Sequence, residues 1–384
     1  MNHFQRRKFL KMSSALSFAP SLSAQAFGAT DAVRGSSENI VNFVSDGLNL
    51  SPAAYSQLLS EISKKGNFAE DNYSLKGCVE ELENKMAQIL GKEAAVFMPT
   101  GTLANHLAIR TLAGNNNRVI LQHESHVYND TGDCVQTLSN LNLIPLGFDK
   151  ATFTVDEVNE VLKRTAGGRV ASKVGVISIE SPVRRKTGEL FDYEQMKQIS
   201  ALAKTNDIKM HLDGARLFLA SAYTGISPAT YASLFDTVYI SLYKYFNAAS
   251  GAVLAGPKAL IEPMYHVRRM FGGGLHQVWA FAAVAMHYLD GFSDRYSKAV
   301  NIGEELIKKL DGHDRFEIQR VSNGTNIFKM TVKGIVPKTF AENLKKNGII
   351  ARPNETNAFN LLVNESLLNT NVQALENGFM NSLK

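Results

Sequence analysis

Residues 208–218 read Ile208-Lys209-Met210-His211-Leu212-Asp213-Gly214-Ala215-Arg216-Leu217-Phe218, and their pattern decides the fold. The run 208–213 has the character of a core strand, Gly214 breaks it, and Leu217-Phe218 opens a helix. An aspartate leaving a core strand beside a glycine is poorly solvated and needs a cationic partner to stay ionised. Arg216 is at hand for an Asp–Arg pair capping the next helix. In a parallel α/β sheet, ligands bind beyond the carboxyl ends of the strands. A strand that ends in Asp213 therefore marks both an architecture and a place to look for chemistry.

The same strand–turn–helix unit recurs on both sides. Upstream, Ala94-Ala95-Val96-Phe97-Met98 is a buried-strand run, punctuated by Pro99-Thr100-Gly101-Thr102 before a helix over 104–112. Downstream, a strand over 237–242 leads to Lys244 and the small-residue run Ala248-Ala249-Ser250-Gly251. Further strands are expected at 118–122, 143–147, 174–180 and 251–255, with helices between most of them. Val79, Leu82, Met86 and Leu90 recur at helical spacing on a face ended by Gly91, and a helix over 155–163 carries a capping box, Thr154 with Glu157. This alternation predicts an α/β protein with a large, mostly parallel sheet covered on both faces. From about Arg315 the pattern changes to strands at 316–321, 326–332, 349–352 and 359–363 with one helix near 338–346, a small C-terminal α+β domain. Between the two, residues 277–289 are apolar nearly all round, as in a helix buried between lobes or subunits. The expected boundaries are a linker and N-terminal segment over 27–43, a large domain over 44–290 and a small one over 291–384.

Composition narrows the function. The 384 residues are 45% hydrophobic and 20% charged, which excludes a disordered regulator, a coiled coil and a disulfide-stapled miniprotein. No apolar run is long enough to span a bilayer, so membrane insertion is not expected. The formal charge is +5, but residues 1–26 hold four of the 41 Lys and Arg (Arg6, Arg7, Lys8 and Lys11) and no acid, leaving 37 basic against 36 acidic. A body so close to neutral offers no electrostatic footprint for nucleic acid. The basic start Gln5-Arg6-Arg7-Lys8-Phe9-Leu10-Lys11, the moderately apolar stretch after it and Ala24-Gln25-Ala26 read as an export signal of the twin-arginine type over 1–26, with a periplasmic destination. Export of a folded chain suits a protein that takes up a cytoplasmic cofactor first. Cys78 and Cys134 form no disulfide framework and sit in no metal-ligand spacing, so no metal is expected.

Three features at strand ends supply complementary chemistry. Gly101 and Thr102 at a helix N-terminus present N–H groups and a positive dipole end to an anion such as phosphate, although the same residues cap any helix. Asp213 offers a carboxylate, and Lys244 in a desolvated crevice is a competent amine nucleophile. Pyridoxal 5'-phosphate requires that set: a phosphate anchor, a carboxylate keeping the ring nitrogen protonated, and an amine for the Schiff base. These residues fall within longer motifs: Ser45-Asp46, Asp71-Asn72-Tyr73, Gly91-Lys92-Glu93-Ala94-Ala95-Val96-Phe97, Pro99-Thr100-Gly101-Thr102-Leu103-Ala104-Asn105 and Ser125-His126-Val127-Tyr128. The series continues through His211-Leu212-Asp213-Gly214-Ala215-Arg216-Leu217-Phe218, Ser241-Leu242-Tyr243-Lys244 and Arg269-Met270-Phe271-Gly272-Gly273-Gly274. Through them, from about Val44 to Gln277 and more faintly to the C-terminus, the chain resembles the threonine aldolase/β-eliminating lyase family of pyridoxal-phosphate enzymes, with the aspartate-aminotransferase-like fold type I.

The resemblance implies that Lys244 is the Schiff-base lysine, Asp213 the partner of the ring nitrogen, and Gly101 and Thr102 the phosphate holders. Arg216 would lie near the ring hydroxyl or the substrate carboxylate, and Ser45 would touch that carboxylate. His126 would stack on the cofactor ring and take the β-hydroxyl proton. Tyr73 and Arg269 would reach the site from a neighbouring subunit, which implies a homodimer or homotetramer. The sequence departs from the family in its bulky Tyr243 and Tyr245 flanking Lys244, in His276 where the family has arginine, and in Asn360 at the place of a carboxylate-binding arginine, with Arg352 nearby. The implied function is a lyase that cleaves β-hydroxy-α-amino acids such as threonine or allo-threonine to glycine and an aldehyde. The alternatives are β-elimination on a related amino acid, and a cofactor-binding protein that has lost turnover.

Overall fold

Strands without a polar face must be covered on both sides, and the central strands of this chain have none. The computed structural model describes residues 40–66, 69–170 and 172–384; the export signal expected over 1–26 lies outside them. In chain order the strands are β1 (Val41–Asn42), β2 (Ala94–Met98), β3 (Arg118–Gln122), β4 (Asn142–Leu146), β5 (Val174–Glu180), β6 (Lys209–Asp213), β7 (Thr237–Ser241), β8 (Ala252–Gly256), β9 (Phe316–Arg320), β10 (Ile327–Val332), β11 (Ile349–Ile350) and β12 (Phe359–Leu362). β5, β7 and β8 are buried at every position. The large sheet has the order β2-β8-β7-β6-β5-β3-β4. Neighbours from β7 to β4 are parallel, whereas β8 runs antiparallel to both β7 and β2. All the strands but β8 therefore point their carboxyl ends to one edge.

Helices fill the connections where their signals lie. The helix Gly77–Leu90 buries Val79, Leu82, Met86 and Leu90 and stops at Gly91, whose left-handed backbone returns its N–H to the last turn. Both halves of the Thr154–Glu157 capping box form at the head of Val155–Ala166. The helix after β2 starts at Gly101, not 104, because the Thr100 hydroxyl accepts the Leu103 N–H at 3.2 Å and caps it there. The helix Trp279–Leu289, expected between lobes or subunits, packs on Pro52–Lys65 and Gly77–Leu90 within the large core. No helix among the described residues is long and apolar enough to cross a membrane. Cys78 and Cys134 are both free, and burial pushes the Cys78 thiol up to about 12.

A second core gathers Phe316, Phe328, Phe340, Phe359 and Phe379 around the antiparallel sheet β12-β10-β9. The helix Phe292–Asp311 joins the two cores: Phe292 and Tyr296 stack in the large one, Ala299, Leu306 and Leu310 lie in the small one. Residues 41–43, the end of the linker and N-terminal segment expected over 27–43, are packed into the fold. Val41 and Phe43 are buried in the second core, and β1 pairs with β11. Asn364 ties this segment down by donating to the Asn42 and Ser45 carbonyls at 2.6 and 2.7 Å. The chain leaving β1 thus runs from the small lobe to the edge where the large sheet ends.

Candidate active site

Several strand tips and the segment after β1 enclose one cavity of about 480 Å³, whose lining includes Ser45, His126, Glu180, Asp213, Arg216 and Lys244. Asp213, the last residue of β6, is 2% exposed. The cationic partner expected for it is not what holds it. Its Oδ2 accepts from Asn105 Nδ2 at 2.7 Å and its Oδ1 from the Ala215 N–H at 3.2 Å. Arg216 turns instead to Asp46, with Nε and a terminal nitrogen both 2.8 Å from Oδ2. Behind Asp213 a buried chain continues, from Asn105 Oδ1 to His211 Nε2 at 2.9 Å and from His211 Nδ1 to Thr237 Oγ1 at 2.8 Å. Since the Asn105 amide donates to Asp213, its oxygen must accept, so His211 carries its proton on Nε2 and accepts the Thr237 hydroxyl. Burial holds His211 down to about 4, which keeps the chain neutral.

Lys244 follows β7, and its Nζ donates to Ser241 Oγ at 3.3 Å and Tyr243 Oη at 3.1 Å, lying 4.4 Å from the centre of the Tyr243 ring. Of the two flanking tyrosines only Tyr243 shapes the cavity; Tyr245 is a core residue among Phe218, Phe246 and Phe292. The loop is braced by the segment after β1, where Leu48 donates its N–H to Asn247 Oδ1 at 2.7 Å. Gly47 makes that crossing possible: a Cβ there would fall 2.2 Å from the Lys244 carbonyl oxygen. Gly101 and Thr102 do not line the cavity themselves. Gly101 sits beneath Tyr239, which does, and a Cβ at 101 would fall 2.1 Å from the Tyr239 hydroxyl.

His126 and Glu180 meet at the tips of β3 and β5. The His126 N–H donates to Glu180 Oε2 at 2.6 Å and the Arg184 N–H to Oε1 at 2.9 Å. Burial first, then the charge of Asp213, push the Glu180 carboxyl up to about 7. Sequence reasoning missed Glu180; the available signal was an acid ending β5 as Asp213 ends β6, in register beside it. An amine and a buried carboxylate held by neutral donors fit pyridoxal 5'-phosphate, whereas the space that Gly101 leaves at its helix N-terminus is taken by the Tyr239 hydroxyl.

A family model described as β-eliminating lyase matches residues 59–333. The chain belongs to this β-eliminating lyase family. It is 33% identical over 226 residues to the low-specificity L-threonine aldolase of Candida albicans, a match covering 58% of each protein, less than two thirds of the relative. Among solved structures it is similar to an Exiguobacterium protein described as an aromatic amino acid β-eliminating lyase/threonine aldolase, with TM-score 0.75 at 23% identity over 90% of this chain and 97% of that one. A Listeria monocytogenes protein described as an L-allo-threonine aldolase aligns with TM-score 0.74 at 23% identity, over 90% of this chain and 96% of its own. The fold is that of the fold type I pyridoxal-phosphate enzymes.

Tyr73 and Arg269, expected to reach a neighbouring subunit's site, and Asn360 and Arg352, expected near the substrate carboxylate, do not line the cavity of this family member. Tyr73 is 43% exposed, with its ring 5.2 Å from that of His276 and the Arg269 guanidinium 4.8 Å from its centre. Buried Arg268 holds this corner by donating to the Tyr73 and Ser74 carbonyls at 3.2 and 3.4 Å. Asn360 is exposed on β12, and the residue of that run which reaches the cavity is Leu362. Arg352 is exposed and lines nothing there. The β12 wall therefore brings no cation to the cavity.

Proposed function

We propose that this chain is a pyridoxal-phosphate-dependent carbon–carbon lyase that cleaves β-hydroxy-α-amino acids of the threonine or allo-threonine type to glycine and an aldehyde. One observation carries the reading: Lys244 and the buried Asp213, from neighbouring strands β7 and β6, line the same cavity. The Candida albicans relative, named for this reaction, supports the substrate class. When bound, pyridoxal phosphate supplies an electron sink for the pair released from the broken bond. Lys244 would provide the amine that holds the cofactor, its Nζ kept in place by Ser241 and Tyr243. Asp213, oriented by Asn105, would keep a proton at the ring nitrogen. Gly101 and Thr102 would hold the phosphate at the helix N-terminus they open, once the Tyr239 hydroxyl that fills the space at Gly101 gives way. His126, or a water it orients, takes the β-hydroxyl proton as the Cα–Cβ bond breaks and the aldehyde leaves; a proton then returns to Cα to give glycine. Ser45 and Arg216 border the substrate.

The Tyr73–Arg269–His276 corner, exposed in one protomer, supports a homodimer or homotetramer in which it completes a neighbour's site. The basic start Arg6-Arg7-Lys8 supports export to the periplasm. The test incubates the protein with threonine, allo-threonine, phenylserine and serine while glycine and ammonia are assayed in parallel. Glycine with stoichiometric aldehyde is expected; ammonia and a keto acid would replace this reading with β-elimination. Lys244→Ala is expected to lose both turnover and the visible absorbance of bound cofactor, and a coloured, active variant would sink the assignment.

A further inference from the structure

We infer that Arg184 is the guanidinium that receives the carboxylate of the amino acid, a role that rests on reading the cavity as an amino acid site. A carboxylate entering a partly desolvated crevice needs a cation, and a guanidinium matches it with two parallel N–H bonds. Apart from His126, the cationic side chains lining the cavity are Arg184, Arg216 and Lys244. Lys244 is engaged as the amine. Arg216 already directs two nitrogens at Asp46, and β12 presents Leu362. Arg184 commits a single terminal nitrogen, to Asp130, where Arg216 commits two nitrogens to Asp46.

Its surroundings suit the task. The Arg184 N–H is fixed on Glu180 Oε1 at 2.9 Å, so the side chain starts from a rigid point at the tip of β5. The side chain is 49% exposed, and it rests on Asp130 through one terminal nitrogen; no acceptor among the described residues meets its Nε or its other terminal nitrogen. Asp130 is shared. Arg185 gives it a terminal nitrogen at 3.0 Å and Nε at 3.4 Å, and His126 Nδ1 lies 3.6 Å away. Two guanidinium groups share this one carboxylate, with Glu124 and Glu180 also acting on Arg185 by charge, whereas Arg216 is the one guanidinium on Asp46 among the described residues. Burial alone would raise the Asp130 carboxyl, but its bonds and charge contacts with Arg185 and Arg184 outweigh that and hold it down at about 2. It therefore stays an anionic brace for Arg184 throughout the neutral range. The cavity acid nearest this rim, Glu180, turns both oxygens to backbone N–H groups rather than to the guanidinium.

The test reads binding, not turnover. Cofactor-loaded wild type, Arg184→Gln and Arg184→Lys are titrated with glycine and with glycinamide, which lacks the carboxylate, following the absorbance of the bound cofactor. Arg184→Gln is expected to weaken glycine about ten- to hundredfold while glycinamide and the cofactor itself keep their affinities within about twofold. Arg184→Lys should fall between, keeping the charge and losing the fork. Equal glycine affinity in wild type and Arg184→Gln would overturn the role, as would a parallel loss for both ligands, which would mark a steric effect. A wild-type protein that takes up the cofactor yet responds to neither ligand would overturn the amino acid reading, and this inference with it.

Discussion

Asn105 gives one amide hydrogen to Asp213 and receives one from His211, so its amide plane cannot flip without breaking both bonds. The carboxylate proposed to hold a ring nitrogen is thereby aimed by a neutral residue, which adds no competing charge next to it. Replacing Asn105 with Ala leaves Asp213 Oδ2 and His211 Nε2 without this partner in a dry site, at a cost of about 1–3 kcal/mol for each unsatisfied group. The expected outcome is a lower melting temperature together with pyridoxal-phosphate affinity reduced about tenfold or more; unchanged cofactor affinity by equilibrium dialysis would show that Asp213 needs no such aim. Asp213 and Lys244 were legible in the sequence because each ends a strand whose neighbours announce it. Asn105, although inside a motif, gave no sign of its role, since its partners lie 108 and 106 residues further on. Arg216 was legible as a site residue but not as the partner of Asp46, a pairing that joins positions 170 residues apart.

The strands of the large sheet lie within a residue or so of where apolar runs and turn residues put them, because burial on both faces leaves one way to read such runs. β1 was not legible. Two residues carry no period, and its partner β11 lies more than three hundred residues away, so the ordered end of an expected linker could only emerge from the fold. That element matters to the site, since it launches the segment that crosses the Lys244 loop at Gly47. A Cβ at 47 would stand 2.2 Å from the Lys244 carbonyl oxygen and 2.5 Å from Asn247 Oδ1, so one of the two backbones must move. Gly47→Ala is therefore expected to cost about 1–3 kcal/mol of stability through this overpacking. It should also lower kcat about tenfold or more by displacing the amine. Retained kcat in a destabilised protein, read from steady-state rates beside a thermal melt, would mean that the crossing holds the fold but not Lys244.

Across the whole molecule, two buried groups on the neighbouring strands β6 and β5 pull the pH dependence of stability in opposite directions. His211 is held down to about 4, below the ordinary histidine value, so between pH 6.5 and about 4 the unfolded chain binds a proton that the folded one refuses. Its contribution is full above that window and is lost as pH falls, by about 1.4 kcal/mol per pH unit at most. Glu180 is pushed up to about 7, so between about pH 4.5 and 7 the folded chain holds a proton that the unfolded one has released. That contribution is full below the window and is lost as pH rises, with the same limiting slope and the opposite sign. Where the windows overlap, between about pH 4.5 and 6.5, the two slopes offset one another. His211→Gln removes one side of the balance: its melting temperature, taken relative to wild type, should rise as pH falls from 6.5 to 4.5. Glu180→Gln removes the other, and its relative melting temperature should fall over the same interval, on top of a constant loss from the backbone N–H it no longer satisfies. Parallel curves for wild type and both variants would show that neither group changes its protonation on unfolding, and the neutral chain from Thr237 to Asn105 would then need a different account.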